Sequence, residues 1–571
     1  MSATCEENEQ LVGLKELIRV CSTLKHLLKR SFGPCSTYTL ITTSSGRSLI
    51  TADGYLILSS LNYNHPVDKL IIQGALRHHK GVGDGIKTFI LILGELVNII
   101  STSGCSMVAL ARQCTMYRSV DIQRRLLDEI LSHCSRINLH KDKLTEIFKT
   151  SLTGKYNSCI SELLSDLLSQ FIIDSSSSSS STPAAAAAAA ADHLNYPVIE
   201  FIIEYFDNLT AVSIDSDISI SRVNPGLFIP GNKLTQFPSL LATDIKFIIV
   251  DECDKNETAT IEINNESDIV ESLLWRQSAA DRWFKRIKDL GVDLILITSS
   301  LTQSQRSQYR RYEISVLESI DVDDLRLLQR LIRVLPVTSF TELISDDLNI
   351  GVIDSVKPMN HGLYFIFNNS FNIEENKCNY SVHSLSICAP DHCQYKTICN
   401  SLRNCLKYLK TFKLPEYLIS NTDPPPSGAC STTNYRATTT ALPPGGVFEY
   451  LISRSLRKLS RLPSDVSLLC RMLSDAVLIV PQIICENSYN NSSFIKLSQQ
   501  INEYLDVDCV KMINCRTGNL NDVSENDFTE SVYGKLLLLQ NLVELLREII
   551  LIDSIVPVKQ IQNQHDESED D

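Results

Sequence analysis

The chain has 571 residues, which is too long for one simple hydrophobic core, so we expect roughly two to four domains. Its composition is that of a soluble globular protein, with 43% hydrophobic, 21% charged and 7% aromatic residues. The net charge of -14 argues against a nucleic-acid or anionic-membrane partner, because both favour basic surfaces.

The start of the chain and its most apolar segment bear on targeting. The first ten residues, MSATCEENEQ, are acidic and lack the basic and then apolar pattern of a signal peptide. The longest apolar run, Phe89–Ile100, contains Glu95 and Asn98 and is shorter than the roughly 20 apolar residues that cross a bilayer. We therefore expect neither secretion nor membrane insertion.

The sequence contains 18 cysteines. Since nothing else predicts secretion, reduced thiols fit better than a disulfide framework. Spacings in the densest group are wider than those of a zinc knuckle, so buried small side chains are favoured over a metal site there. That group comprises Cys388, Cys393, Cys399, Cys405, His383 and His392.

The first elements follow from apolar spacing. Apolar residues recur at helical spacing over residues 10–31, and Gly33-Pro34 ends this helix. The next stretch, TYTLITTSSGRSLITADGYLIL, predicts two short strands, with turns at Ser45–Arg47 and at Asp53-Gly54.

Helical patterns continue from about Pro66 to about Leu168, with short breaks. The segment Asp174–Asp192 is then a serine tract followed by an alanine tract. Serine with one proline cannot pack a core, although the alanines favour helix. We interpret this segment as a surface insertion.

An α/β pattern occupies residues from about 196 to 350. IKFIIVD and VDLILIT are continuous apolar runs of the kind found in strands buried between helices. Between them, Ser267–Gly291 predicts a helix whose Leu, Trp and Phe face packs on the sheet. The apolar positions of this helix are Val270, Leu273, Leu274, Trp283, Phe284 and Ile287.

The last third of the chain begins with a loop rich in Pro, Ser and Thr, Ser420–Gly446. Helical patterns follow as far as Gly534–Val556. The final residues, DESEDD, predict an acidic, solvated tail.

Short stretches follow, in order, the signature motifs of the group II chaperonins, the eukaryotic cytosolic and archaeal type. SFGPCS resembles their Leu-Gly-Pro-Lys-Gly phosphate loop, TADGYLIL their Thr-Asn-Asp-Gly-Ala-Thr-Ile-Leu motif, and VGDGIKT their Val-Gly-Asp-Gly-Thr-Thr motif. HPVDKLI, TSLTGK, GVIDSVKP, LPPGGVFE and ESVYGK extend the match over nearly the full length. Each motif alone is weak, since Gly-Asp-Gly is also a common tight turn. Their order and spacing together identify the chain as a member of this family.

Within the family, GDGIKTFI, LPPGGVFE and ESVYGK are similar to the chaperonin-like Bardet–Biedl syndrome branch. The resemblance implies an α/β multidomain chaperonin fold with three domains. A mostly helical equatorial domain would comprise residues 1–140 and 411–571, and an intermediate hinge domain residues 141–205 and 350–410. The inserted α/β apical domain, which would bind clients, would comprise residues 206–349.

The resemblance also implies a site for ATP and Mg²⁺. Glycine at Gly33, Gly83 and Gly85 would let the backbone close on phosphate. Asp84 would bind Mg²⁺, because a carboxylate next to phosphate needs a cation; alternatively, Asp84 only caps the following helix. The other residues implied at the nucleotide are Pro34, Gly54, Lys87, Thr88, Lys155, Gly445, Gly446 and Glu530.

Several of these positions have a second interpretation. Lys87 replaces a family threonine and could neutralise phosphate or simply reach solvent. Lys155 matches a lysine that senses the terminal phosphate in archaeal relatives. Glu530 would contact the ribose, or be an exposed carboxylate at a helix start. The pair Gly445-Gly446 would contact the nucleotide, or form a turn after two prolines.

The residues that would activate water depart from the family pattern. Chaperonins use two aspartates, and the first is kept as Asp53. The second aligns with Asn404 in SLRNCL, and an amide cannot take a proton from water as a carboxylate can. The phosphate loop also lacks its lysine and second glycine, and Ile86 has no hydroxyl. We therefore expect ATP binding with weak or lost hydrolysis.

Three functions remain open at this point. The resemblance favours a chaperonin-like assembly factor for the BBSome, a ciliary trafficking complex, located at the basal body and cilium base within the cytoplasm. Its partners would be two sister chaperonin-like Bardet–Biedl proteins and the eight-subunit cytosolic chaperonin, with BBSome subunits as clients. The alternatives are an active ring-forming ATPase subunit and a scaffold that binds no nucleotide.

Overall fold

A computed structural model gives the architecture. It describes residues 3–42, 48–63, 65–136, 139–176, 196–233, 244–251, 266–337, 349–359, 362–367, 371–373, 378–415, 418, 439–462, 465–488, 493–506, 511–522 and 528–552. Three predicted segments lie wholly or mostly outside these residues: the turn at Ser45–Arg47, the Ser/Ala tract, and the Pro/Ser/Thr-rich loop. The acidic tail lies outside them as well.

The described residues form eighteen α-helices. These are α1 Ala3–Lys29, α2 Gly54–Ser60, α3 Pro66–Val82, α4 Ile86–Ser103, α5 Met107–Tyr117, α6 Val120–Leu131, α7 Lys141–Leu152, α8 Ser158–Ser176, α9 Tyr196–Glu204, α10 Glu266–Asp289, α11 Gln303–Arg311, α12 Val322–Ile332, α13 His392–Lys410, α14 Val447–Arg461, α15 Ser467–Ala476, α16 Ile479–Asn487, α17 Phe494–Asp506 and α18 Val532–Ile550.

Twenty short strands accompany these helices within the same residues. These are β1 Thr39–Thr42, β2 Ser48–Thr51, β3 Ser135–Arg136, β4 Thr210–Ile214, β5 Arg222–Pro225, β6 Leu227–Pro230, β7 Asn232–Lys233, β8 Ile245–Val250, β9 Leu294–Ile297, β10 Ser315–Glu318, β11 Ile350–Ile353, β12 Ser355–Met359, β13 Gly362–Ile366, β14 Phe371–Ile373, β15 Cys378–Tyr380, β16 His383–Ala389, β17 Thr440–Leu442, β18 Lys511–Ile513, β19 Leu520–Asp522 and β20 Glu530–Ser531.

The chain divides into two compact units. The terminal unit combines Met1–Ile137, Thr150–Asn157 and Lys407–Asp571, so both ends of the chain build it. The central unit comprises Asn138–Lys149 and Ser158–Leu406. The division into equatorial, intermediate and apical domains is finer than this and stays a prediction.

The terminal unit is a helical assembly around α4. This helix is apolar on nearly all sides, and Phe89, Leu91, Leu93 and Leu96 have no exposed surface. A helix that is hydrophobic all round must be covered on all sides, and α1, α3, α15 and α18 all contact it. The helix predicted over residues 10–31 is confirmed as part of α1, and the strands on either side of Ser45–Arg47 are confirmed as the antiparallel pair β1 and β2.

Two stretches of the described part of the chain are long and apolar enough to cross a membrane by length and composition alone, Ile86–Ser103 and Ser467–Asn487. The first is longer than the apolar run considered in the sequence. However, 61% and 72% of the two windows are buried inside the protein, as in core helices of soluble proteins. The absence of membrane insertion stays a prediction, which this burial supports.

A five-stranded sheet forms one core of the central unit, in the order β11-β8-β9-β10-β7. Strands β8, β9 and β10 are parallel, and β11 and β7 pair antiparallel at the edges. The two predicted buried strands are therefore confirmed as β8 and β9, and the structure shows that they are neighbours. Two three-stranded sheets, β12-β13-β6 and β4-β16-β5, complete the unit's larger sheets among the described residues.

The helix α10 between these strands is confirmed, but its packing was predicted only in part. Trp283, Phe284 and Ile287 are buried against the sheet, as expected. The prediction was wrong for Val270 and Leu274, which are 56% and 57% exposed. The side chain of Leu273 lies outside the described part. A helix of 24 residues is about 36 Å long, whereas strands of four to six residues span about 13–20 Å, so the sheet covers only part of it.

Candidate functional site

Four of the loops in the terminal unit that turn at glycines with positive φ contain the motif glycines; other residues adopt this conformation only with strain. One loop follows α1, one joins α3 to α4, one follows α7 and one precedes α14. The glycines and their φ angles are Gly33 (88°), Gly83 (88°), Gly85 (85°), Gly154 (79°), Gly445 (82°) and Gly446 (84°).

Three close contacts show that these loops approach one another. A Cβ on Gly154 would lie only 2.9 Å from the carbonyl oxygen of Gly33. The Sγ of Cys35 donates to the carbonyl of Cys515 at 3.5 Å. The Ile513 N–H in turn donates to Gly445 O at 3.3 Å. We call the region bounded by these four loops the glycine-lined site.

Two helices begin at the site without a side-chain cap. The N-cap residues of α4 and α14 are Gly85 and Gly446, and neither can supply a side-chain acceptor. The first-turn amides of both helices therefore have no side-chain partner at the N-cap, and uncapped helix N-termini attract anions. By contrast α2 is capped, because Oδ1 of Asp53 accepts from the Tyr55 N–H at 3.0 Å.

Asp84 lies in front of α4 and is paired with a cation. The Lys155 Nζ lies 3.3 Å from Asp84 Oδ1. Burial alone would raise the pKa of Asp84, but the Lys155 ammonium and the Gly85 N–H together hold it below its usual value. The carboxylate is therefore ionised, and its side chain remains 32% exposed, so a ligand can reach it. Since Gly85 is the N-cap residue, capping does not account for Asp84.

Lys87 lies in the first turn of α4 and does not extend into solvent. Its Nζ donates to the carbonyl of Ser31 at 2.5 Å. Its stem crosses Gly54, where a Cβ would lie 2.6 Å from Lys87 Cγ. Burial lowers the pKa of Lys87 to about 8, although Asp53 and Asp84 act to raise it. Of the two interpretations of this residue, the structure excludes a side chain that snorkels outward.

His79 is a site residue that was missed in the sequence. Its carbonyl accepts the Gly83 N–H at 2.7 Å, and its ring stacks on Tyr55 with centroids 5.1 Å apart. Burial, followed by the charge of Lys155, lowers the pKa of His79 to about 4, so the imidazole is neutral at pH 7. The only signal in the sequence is the histidine pair His78-His79, which Lys80 separates from GVGDG.

A largely buried ion cluster lies within electrostatic reach of Asp84. The Lys535 Nζ is 2.6 Å from Glu449 Oε1 and 3.1 Å from Glu530 Oε2. Burial and the Glu449 carboxylate raise the pKa of Glu530 against the pull of Lys535. Although burial would lower it, the two carboxylates raise the pKa of Lys535. Glu530 is thus a half-buried member of an ion cluster, 19% exposed, and not an exposed carboxylate. Its contact with ribose stays a prediction.

The remaining predicted residues are distributed unevenly. Thr88 is buried on α4, and Pro34 is exposed in the middle of the first loop, between α1 and β1. Asn404 lies on α13, in the part of that helix that belongs to the central unit. The other positions implied at the nucleotide all lie in the terminal unit.

The cysteine and histidine group is not brought together as a metal site within the described residues. Cys388, Cys399 and Cys405 are buried, and burial raises the pKa of the Cys399 thiol to about 11. Three other side chains, Glu16, His65 and Asp68, place ligand atoms within 4.8 Å of one another.

Metal binding at this second group is opposed by existing bonds. His65 Nδ1 accepts the Val67 N–H at 3.3 Å, which leaves the proton on Nε2, and Glu16 is paired with Arg19. A protonated nitrogen cannot bind a metal.

The comparisons with known proteins agree with this architecture. A family model described as the TCP-1/cpn60 chaperonin family matches residues 24–419. The chain belongs to this chaperonin family. The resemblance to chaperonins is therefore confirmed.

Individual relatives of this family member are distant. The chain is 24% identical to T-complex protein 1 subunit theta of Saccharomyces cerevisiae, over 62% of this chain and 59% of that protein. It is 21% identical to the BBSome complex assembly protein BBS10 of Mus musculus, over 65% and 55% of the two chains. The human BBS10 protein is also 21% identical, over 70% and 57%. The matched region thus covers somewhat under two thirds of each relative's length.

The chaperonin fold is confirmed by a solved structure. A crystal structure of a group III chaperonin in the open state matches with a TM-score of 0.69, covering 96% of this chain and 99% of the other. At 16% sequence identity this likeness establishes the fold alone. The predicted α/β multidomain chaperonin fold is therefore correct, and relatives of both the cytosolic chaperonin and the Bardet–Biedl type occur.

Proposed function

We propose that this chaperonin-family chain binds ATP with Mg²⁺ at the glycine-lined site. The observation that carries the proposal is the ionised, reachable Asp84, paired with Lys155 in front of two helix N-termini that have no side-chain cap. Carboxylate, ammonium and backbone amides are the groups that a metal-bound triphosphate requires.

The residues present fit such a ligand. A Cβ on Gly445 would lie 2.4 Å from Ile513 O, so this loop has room only for bare backbone. The first-turn amides after Gly85 and Gly446 would bind phosphate oxygens, and Lys155 would bind the terminal phosphate. Asp84 would hold Mg²⁺, which would neutralise phosphate charge when bound. Gly33 and Gly83 would keep side chains out of the cradle.

Hydrolysis would be weak or lost in this proposal. The resemblance aligns Asn404 with one of two water-activating aspartates, and an amide cannot serve as a general base. The other aspartate, Asp53, already uses Oδ1 to cap α2. A single carboxylate that already accepts a capping hydrogen bond should accept a proton from water less effectively than two carboxylates without that bond.

Calorimetric titration with ATP, with and without Mg²⁺, tests binding. We expect Mg²⁺ to strengthen binding to the wild type and to have no effect on Asp84→Ala. Asp475→Ala, at a half-exposed surface aspartate of the same unit, is the matched control and should behave as wild type. If Mg²⁺ strengthened ATP binding equally in the wild type and in Asp84→Ala, the proposed role of Asp84 would be overturned. If the wild type did not bind ATP at all, the alternative that the protein is a scaffold without nucleotide would be favoured.

Measurement of Mg-ATP turnover tests the proposal that hydrolysis is weak or lost. We expect a very low rate in the wild type and a higher rate in Asn404→Asp, which restores the carboxylate. Substantial wild-type turnover would favour the active chaperonin instead. A native mass many times that of one chain would then indicate the ring-forming subunit.

We infer further that the cellular role is assembly of the BBSome. Two relatives named BBSome complex assembly protein BBS10 support this, at 21% identity over 65% and 70% of this chain. Partners would be sister chaperonin-like Bardet–Biedl proteins and the eight-subunit cytosolic chaperonin, with BBSome subunits as clients. The protein would act in the cytoplasm near the basal body and cilium base.

Depletion of the protein in ciliated cells tests this role. We expect BBSome subunits to shift from the assembled complex to free subunits in density gradients, and wild-type protein to reverse the shift. Asp84→Ala should fail to do so if the role depends on nucleotide. Unchanged BBSome assembly after complete depletion would contradict the proposed role.

A further inference from the structure

Lys87 is an unusual feature of the glycine-lined site because its side chain is directed inward along a prepared path. Gly54 provides that path, since a Cβ there would lie 2.6 Å from Lys87 Cγ and 3.3 Å from Lys87 Cε. The far end is fixed by the hydrogen bond from Nζ to the carbonyl of Ser31, at the start of the first loop. The ammonium is therefore held at the site by both its stem and its head.

The charges around Lys87 are those of the site. Asp53 and Asp84 attract it, and Lys155 repels it, so all four groups lie within electrostatic reach. Lys155 is already paired with Asp84. Ser31 accepts only one hydrogen bond from a group that carries three N–H donors. Lys87 thus offers charge and donors that the Asp84–Lys155 pair does not use.

A triphosphate brings several negative charges into a partly buried site, where charge is costly unless it is neutralised. A divalent cation ordinarily supplies that neutralisation. Here the Lys87 ammonium is part of the chain and is already present at the site, so no ion has to bind from solution to supply that charge. ATP binding should therefore depend less on a free divalent cation.

We propose that Lys87 is a tethered counter-ion for the nucleotide phosphates, which lets ATP bind at this site without a divalent cation. The inference rests on the proposed nucleotide site and assigns a chemical property to it. Mg²⁺ bound at Asp84 then strengthens binding but is not needed for it.

Titration of the full-length protein with ATP in Mg²⁺ and in EDTA tests the inference. We expect the wild-type affinity in EDTA to be within about tenfold of that in Mg²⁺. In Lys87→Met, the loss of one charge-assisted interaction should weaken binding in EDTA by about tenfold to a hundredfold. Because Mg²⁺ partly replaces the missing charge, the loss in Mg²⁺ should be smaller.

Three further variants separate charge from structure. Lys87→Gln keeps a donor for Ser31 without charge and should behave like Lys87→Met, whereas Lys87→Arg keeps the charge and should retain binding in EDTA. Lys80→Met, at an exposed lysine in the last turn of α3, is the matched control and should change neither affinity. Thermal melting of each variant confirms that it is folded.

Two outcomes would overturn the inference while the proposed function stands. One is a wild-type affinity that collapses in EDTA as far as that of Lys87→Gln. The other is a Lys87→Gln variant that matches the wild type in both conditions. ATP binding that is absent from the wild type even with Mg²⁺ would remove the proposed function itself.

Discussion

The glycine-lined site and a cavity in the central unit both concentrate carboxylates, yet the carboxylates behave in opposite ways. In the site, Asp84 faces Lys155 and a backbone N–H, and its pKa is lowered. In the central unit, Asp324 is 7% exposed and burial raises its pKa to about 6, with further contributions from two neighbouring aspartates. The cavity measures about 540 Å³ and is lined by Glu204, Tyr205, Asp207, Asn208, Asp321, Asp323, Asp324 and Arg326.

The difference between the two regions is in the partners of the carboxylates. Asp324 receives a hydrogen bond from a neutral amide, Asn208 Nδ2, at 2.7 Å, and the nearby arginines lie on exposed rims. In the site, the ammonium groups of Lys87 and Lys155 lie among the carboxylates. A high density of acidic residues therefore does not by itself make a ligand site; a built-in countercharge distinguishes the first region from the second.

The largest effect on stability is expected from removing a countercharge in the ion cluster of the terminal unit, where Lys535 pairs with Glu449 and Glu530. Lys535→Met leaves Glu449, which is 1% exposed, and Glu530 without their cation. We expect a loss of about 3–5 kcal/mol in the free energy of unfolding, measured by urea denaturation. The double variant Lys535→Met/Glu449→Gln should recover part of it. A loss below about 1 kcal/mol would contradict the view that countercharge stabilises this region.

The next effect concerns the bare backbone of the site. Gly445→Ala places a Cβ 2.4 Å from Ile513 O at a φ of 82°, so both strain and collision oppose it. We expect destabilisation by about 2–3 kcal/mol. Gly104→Ala is the matched control, since Gly104 has a φ of 60° and nothing within 4 Å of its Cβ position, and should cost only about 1–2 kcal/mol. Equal costs would show that close packing at Gly445 is unimportant.

In the central unit the expected effect depends on pH. Because the pKa of Asp324 is about 6 in the folded protein and about 3.9 when unfolded, the folded state binds the extra proton. Stability should therefore fall as pH rises from about 4 to 6, by about 2–3 kcal/mol in total. Asp324→Asn should remove this slope and be more stable than the wild type at pH 7. Melts of both proteins from pH 4 to 7.5 measure the difference.

The smallest effect is expected at the rim of the same cavity. Arg326 pairs with Asp323 at 3.0 Å, but both side chains are more than two thirds exposed. Arg326→Ala should change the free energy of unfolding by no more than about 0.5 kcal/mol, and less at high salt. A salt-insensitive loss above 1 kcal/mol would show that rim arginines neutralise the cavity after all.

Much of the fold follows from local patterns in the sequence. Helical spacing predicted α1, and the continuous apolar runs predicted β8 and β9 as buried strands. Short motifs in chain order were sufficient to identify the family. Such motifs can be recognised locally because each loop glycine is required by the backbone conformation at its own position. Packing between elements that are distant in the chain was harder to predict from the sequence. Val270 and Leu274 recur at helical spacing, but they are exposed because the sheet is too short to cover every turn of α10.

The sequence by itself determined the first helix, the buried strands of the central unit and the family, and it named most residues of the proposed site, since φ preference, apolar period and motif order are local properties. Only the tertiary structure decided the charges. It paired Lys155 with Asp84 across 71 positions, directed Lys87 inward over Gly54, buried His79, and placed Lys535 between two carboxylates. Ionisation depends on burial and on neighbours distant in the chain, and no single stretch of sequence contains them.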